Sequence, residues 1–252
     1  MSRVGNAVDN NIRDFGLQKG FLEALNTWGV KVAVQNLTPE INKIFEGSPV
    51  ILIGNHPTFS EPFVLPALLP QREDAFMVMS QSFLSLAPHL KQHTLPIFMG
   101  YRTKGEGVMT SVLRKILTYG DIDYENAHRR NIESIDLAAS RVSSGGLGIV
   151  FPAPLRQLSN GQWKTGLGYL INGIKYPSET YLIEAYIEGT ARHDVLRANP
   201  ILRDRYPEIK VIFRDPQKIA DIKGRMPKTN ERELTVGMEK DYLEWVKSLK
   251  RG

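Results

Sequence analysis

The sequence predicts an α/β fold with a mostly parallel central sheet flanked by helices. Three observations predict it. The chain has 252 residues, enough for one large α/β domain. It contains short aliphatic runs that do not alternate with polar residues, "PVILIG" at 49–54, "AFMVMS" at 75–80 and "GLGIVFP" at 146–152, the pattern of strands buried on both faces of a parallel sheet. Segments of helical period lie between these runs, and strands that alternate with helices make a sheet covered on both sides.

The elements follow in chain order. Residues 10–28 carry Ile12, Phe15, Phe21, Leu22, Leu25 and Trp28 near helical spacing, with Gly16 and Gly20 weakening the run. That predicts an N-terminal amphipathic helix within 1–28, either packed on the core or lying on a membrane surface. "VKVAV" (30–34) reads as a strand and "TPEINKIFEG" (38–47) as a short helix ended by Gly47. After the strand at 49–54, Ser60 is a candidate cap for a helix from Glu61 to about Leu69, with Pro62 in its first turn. The strand at 75–80 precedes a short apolar helix, "QSFLSLAPHL", and the strand "LPIFMG" at 95–100. "GVMTSVLRKILTYG" and 130–143 read as helices, then come the strands 146–152, "TYLIEAYI" (180–187) and "KVIFRD" (210–215). Residues 230–250 form a charged terminal helix. No repeat or linker interrupts the chain, so 1–252 reads as a single domain in which 30–215 carry the motifs.

Composition narrows the function. Hydrophobic content of 42% and charged content of 23% suit a globular protein with a sizeable core. The chain has no cysteine, which excludes disulfides, thiolate nucleophiles and zinc–cysteine sites. The first residues lack the apolar run of a secretory signal, and no stretch of 18 apolar residues is present to cross a bilayer; the expectation is a cytoplasmic protein. Its net charge of +5 suits anionic lipid, nucleic acid or phosphorylated substrates without choosing among them.

The stretch "ILIGNHPTFSEPFVL" (51–65) carries the chemistry. His56 follows a strand end, where ligands and catalytic groups of such sheets gather. Glu61 falls in the first turn of the next helix. A carboxylate there can fold back onto the imidazole, fix its tautomer and stabilise the imidazolium. No nucleophile accompanies the pair, which suits a base that activates a substrate hydroxyl.

This stretch resembles the His-x4-Asp signature of the glycerolipid acyltransferases, the family of glycerol-3-phosphate and lysophosphatidic acid acyltransferases. Three further blocks resemble the family's in order: "LPIFMGYR", with Arg102; "GIVFPAPLRQLSNGQWKTGLGYL", with Phe151, Pro152 and Arg156; and "YLIEAYIEG", where Glu184 stands in place of a proline. The resemblance implies an O-acyltransferase of phospholipid biosynthesis. His56 would deprotonate the acceptor hydroxyl, Glu61 would orient it, and the hydroxyl would attack the thioester of acyl-CoA or acyl-carrier protein. It implies no metal or redox cofactor. Arg102 and Arg156, with Lys104 and Lys164 beside them, would hold the phosphate of a lysophospholipid-like or other glycerolipid acceptor, since a guanidinium grips phosphate in bidentate fashion. The alternative for Arg156 is an internal salt bridge to Glu184 or Glu188.

The match breaks in two places. Glu61 replaces the family's aspartate, and Ala153, Pro154 and Leu155 replace a glutamate, a glycine and a threonine. The second change points to an atypical acceptor or, alternatively, to a catalytically lapsed lipid-binding protein that keeps the fold. No Gly-x-Ser-x-Gly elbow, dinucleotide fingerprint, phosphate loop or nucleic-acid motif is present. Asp121, Asp123, Glu125 and His128 read as a solvated loop, and His89, His93 and His193 form no partner pattern. "FVLPALL" and "SFLSLAP" beside the active loop, with the basic balance, predict peripheral attachment to the inner face of a membrane.

Overall fold

The computed structural model describes residues 3–58, 60–81, 88–98, 123–153, 162–191, 206–226 and 229–251, with Asp194, Arg197 and Asn199. The N-terminal segment is two helices, α1 (Arg3–Phe15) and α2 (Leu17–Thr27). Gly16 turns the chain between them at φ 81°, a left-handed conformation that glycine adopts without Cβ strain. Val8, Ile12, Leu17, Phe21, Ala24 and Leu25 are buried, so this pair packs on the core. On α1, Asp9 reaches across to His89: its carboxylate takes the His89 Nδ1 at 2.8 Å and the His89 backbone N–H at 2.9 Å. His89 thus has a partner that sequence spacing does not reveal.

Next come β1 (Val32–Gln35) and α3 (Pro39–Gly47). Thr38 caps α3 by accepting the Ile41 N–H at 3.3 Å, and Pro39 opens it without wasting a donor. The middle of the chain supplies β2 (Val50–Gly54), α4 (Glu61–Ala67), β3 (Phe76–Ser80), a 3-10 turn at Leu90–His93, and β4 (Thr94–Ile97). Then follow α5 (Tyr124–Ser143), β5 (Leu147–Val150), α6 (Gly166–Gly173) and β6 (Tyr181–Glu188). The chain closes with β7 (Ile209–Phe213), β8 (Gln217–Lys218), α7 (Ile219–Arg225) and α8 (Glu231–Leu249). The helix expected at 107–120 and residues 82–87 lie outside the described residues.

The described strands form one sheet in the order β1-β7-β6-β2-β5-β3-β4, with β8 also on β6. Strands β6, β2, β5, β3 and β4 run parallel, so their carboxyl ends open on one edge. β7 lies antiparallel to β6, and β1 follows the direction of β7. One face of the sheet, with Leu52, Ile183 and Ile187, packs among residues of α1 to α4; the other, with Ile51, Ile53 and Leu182, meets α5 to α8.

Three expectations are corrected. The helix expected at 130–143 begins at Tyr124, because Asp123 caps it by accepting the Asn126 N–H at 2.8 Å; Asp123, Glu125 and His128 belong to a helix start rather than a loop. Ser60 stands at the cap position of α4 but makes no cap bond. Within "FVLPALL", Val64, Leu65, Ala67 and Leu69 are buried, so that stretch is core and is not free to enter a membrane. No described helix is long and apolar enough to cross one.

Candidate active site

The site grows from the end of β2. The β2–β6 ladder ends at the pair Gly54 and Ala185. One residue further, the Asn55 side chain takes over: its Nδ2 donates to the Ile187 carbonyl and its Oδ1 accepts the Ile187 N–H, both at 2.7 Å. The side-chain amide thereby imitates a backbone unit, and the main chain is freed to leave the sheet at His56. The His56 ring packs against Phe151, which follows the neighbouring strand β5, with centroids 5.1 Å apart. Only 14% of the His56 side chain is exposed.

Glu61 opens α4 and is fully buried. Its Oε2 lies 3.0 Å from His56 Nδ1. The Thr58 backbone N–H donates to both carboxylate oxygens, at 3.0 and 3.2 Å, and the Thr58 hydroxyl donates to Oε1 at 2.8 Å. The Thr190 hydroxyl, just beyond β6, donates as well. Burial pushes this carboxyl up, but the hydrogen bonds from His56, Thr190 and Thr58 outweigh it and hold the group below the usual glutamate range. A buried charge so provided with donors stays ionised. It also fixes the tautomer: an Nδ1–H given to Glu61 leaves Nε2 with its lone pair, able to take a proton. The longer glutamate is thus accommodated by a loop that turns Thr58 back onto it.

A second network anchors the start of α4. Ser60 donates to Asp194 at 2.5 Å, and Asp194 also accepts the Ala191 N–H at 2.8 Å. Asp194 pairs with the buried Arg197 at 2.6 Å, whose other nitrogens donate to the carbonyls of Gly189 and Pro207. The segment after β6 is therefore tied to the loop that carries His56.

Of the residues singled out from sequence, His56 and Glu61 come together. Arg102, Lys104 and Arg156 lie outside the described residues. Lys164 is exposed, and its backbone N–H closes onto the Pro152 carbonyl at 3.0 Å. Glu184 pairs with Arg214 at 2.5 Å and Glu188 with Lys210 at 3.7 Å. Ala153 is buried. Asn55, Thr58, Thr190 and the Asp194–Arg197 pair are the polar groups that sequence reading missed. Asn55 and Thr58 sit within the quoted stretch, whereas nothing in spacing links Thr190 to it. Among the described residues, no three His, Asp or Glu side chains are grouped to hold a metal ion.

Comparison with protein-family models gives no match, and comparison with curated protein sequences gives none either. Among solved structures, the chain is similar to the crystal structure of the 1-acyl-sn-glycerophosphate (LPA) acyltransferase PlsC from Thermotoga maritima. The superposition has a TM-score of 0.52 at 12% sequence identity and covers 94% of this chain and 82% of that chain. The chain has a glycerolipid acyltransferase fold. On this fold the family-like blocks fall in a definite arrangement. The first, third and fourth lie on the adjacent strands β2, β5 and β6, and the second lies on β4, beyond β3. The strands that carry these three blocks therefore lie side by side at the edge where His56 leaves β2.

Proposed function

We propose that the protein is an O-acyltransferase that moves a fatty acyl group from a thioester, acyl-CoA or acyl-carrier protein, to a hydroxyl of a lysophospholipid-like or other glycerolipid acceptor. The observation that carries this reading is the buried Glu61 carboxylate, supplied with donors from His56, Thr58 and Thr190, behind a histidine at the carboxyl end of a central strand of this fold. In the proposed reaction His56 Nε2 takes the hydroxyl proton as the acceptor oxygen attacks the thioester carbonyl. The tetrahedral adduct collapses, the C–S bond breaks, and the imidazolium returns its proton to the departing thiolate. An ester and a free thiol result. Glu61 stays ionised and stabilises the imidazolium while it lasts. Phe151 covers one side of the ring and limits its rotation. Arg102 and Arg156, supported by Lys104 and Lys164, are assigned to an anionic group of the acceptor, and the protein acts at the inner face of a membrane without crossing it.

A thiol-release assay tests the reading. A panel of lysolipids and other hydroxylated acceptors is offered with acyl-CoA and with acyl-carrier protein. Release that depends on the hydroxyl and disappears in His56→Ala supports the transferase. One observation favours a second reading: Ala153 is buried and brings no polar group where the family-like block has a glutamate. Lipid binding with no thiol release would favour this lapsed, lipid-binding form.

A further inference from the structure

The C-terminal helix α8 reaches the same strand end. Its Tyr242 is buried, and the hydroxyl donates to the Ala185 carbonyl at 2.9 Å. The same oxygen lies 3.4 Å from Asn55 Oδ1. Gly54 and Ala185 are the last pair of the β2–β6 ladder, and the Asn55 side chain continues the link to β6 at Ile187. The phenol hydroxyl therefore sits on the last paired carbonyl of β6 and beside the side chain that takes over from the ladder. The next residue is His56.

We propose that Tyr242 is a positioning residue for His56, a brace that holds Ala185 and Asn55 at the end of the β2–β6 ladder and so sets the direction in which the imidazole leaves the sheet. This rests on the assignment of His56 as the base. The brace is itself held. Its ring lies 5.2 Å from Trp163 and 5.5 Å from Trp245. One residue earlier, Asp241 is bound to Arg214 at 2.7 Å, and Arg214 in turn to Glu184 on β6. The same helix also meets the chain at Trp163, whose backbone N–H faces the Glu239 carboxylate. Helix α8 therefore braces the loop that bears the base and is itself packed against Trp163. Glu184, which departs from the family pattern, is the strand's anchor for this helix.

Tyr242→Phe removes the hydroxyl and keeps the ring contacts. We expect kcat for acyl transfer to fall about tenfold, a part of the roughly hundredfold that a 1 Å misplacement costs, with KM for donor and acceptor unchanged. Asp241→Asn loosens the same helix without touching Asn55 and should lower the melting temperature while leaving kcat near the parent value. A second readout does not need turnover. The imidazole nitrogen shifts of His56 should report the Nδ1-protonated tautomer in the parent and a mixture of tautomers in Tyr242→Phe. An inactive parent that still loses its tautomer lock in the variant would refute the transferase and keep the brace. Unchanged kcat with unchanged nitrogen shifts would overturn the brace, whatever the melting temperature. Should Tyr242→Phe fail to fold, the parent decides: nitrogen shifts that report a mixture of His56 tautomers there would refute the positioning.

Discussion

Replacing His56 by alanine removes the proposed base and leaves its surroundings in place. The ring touches Phe151 and Glu61 and, among the described residues, supports no backbone group. The expected outcome is a loss of about 10²–10⁴ in kcat, the range that one acid–base group supplies, with the melting transition preserved; activity within a few-fold of the parent would sink the mechanism. Glu61→Gln should cost less, since an amide can still bond but no longer stabilises the imidazolium. Glu61→Asp is the sharper test of geometry. Thr58 donates to this carboxylate from both its backbone and its hydroxyl, so the loop fits the longer side chain, and aspartate should lower kcat rather than raise it. The acid limb follows from the depressed carboxyl. Glu61 ionises below its unfolded value, about 4.3, so its contribution to stability is complete above that pH and is lost as pH falls through the lower folded value. Glu61→Gln should lack this part of the acid transition in a melting series. At this scale the sequence is legible where partners are close along the chain, as His56 and Glu61 are. Thr190 and Tyr242 arrive through the sheet order and the docking of α8, which no local spacing encodes.

Among the elements, α8 depends on charge as well as on its buried Leu234, Met238, Tyr242 and Val246. Arg214 serves two carboxylates, Glu184 on β6 and Asp241 on α8. Burial pushes the Glu184 carboxyl up, and although Arg214 pulls it down, the group stays above its usual value. Its ionisation therefore removes stability as pH rises from about 4.3 towards the raised value, and Glu184→Gln should abolish that decline. Arg214→Met strands the buried Glu184 without a partner. The expected loss is about 3 kcal/mol in denaturant unfolding at neutral pH, and the double variant with Glu184→Gln should recover part of it; equal losses in the single and double variants would refute the pairing. Helix α6 meets α8 just as closely: a Cβ on Gly168 would lie 2.0 Å from the Glu231 carbonyl, so Gly168→Ala should loosen the same dock. Neither α6 nor α7 is legible from periodicity, because each is two turns long and rich in glycine or charge. The start of α5 is hidden for a similar reason: "YENAHRR" has no apolar period, and only the Asp123 cap marks it. The break at Gly16 registers in sequence as a weakness of one helix, when it is the turn between two.

For the whole molecule, the parallel strands are readable because burial on both faces demands uninterrupted aliphatic residues. The reversal of β7 and β1 is not, since a strand of Val and Ile has the same composition in either direction. Burial likewise decides the membrane question for "FVLPALL", whose apolar side chains are spent on the core of α4. Charge can still draw the protein to a lipid surface: 32 basic against 27 acidic side chains, a net +5. Basic residues close to an anionic bilayer contribute about 1 kcal/mol each, within a Debye length of its surface. Attachment is therefore expected to be electrostatic and reversible. In flotation the protein should rise with vesicles rich in anionic phospholipid at low salt and stay behind with neutral phosphatidylcholine vesicles. It should leave the anionic vesicles as salt rises from 0.1 M to 1 M, where the Debye length shrinks from about 10 Å to about 3 Å. Binding that ignores both salt and headgroup charge would mean apolar insertion and overturn this account. Failure to bind either vesicle at low salt would remove the membrane from the proposed function, and would point the thiol-release assay towards acceptors that dissolve freely in water.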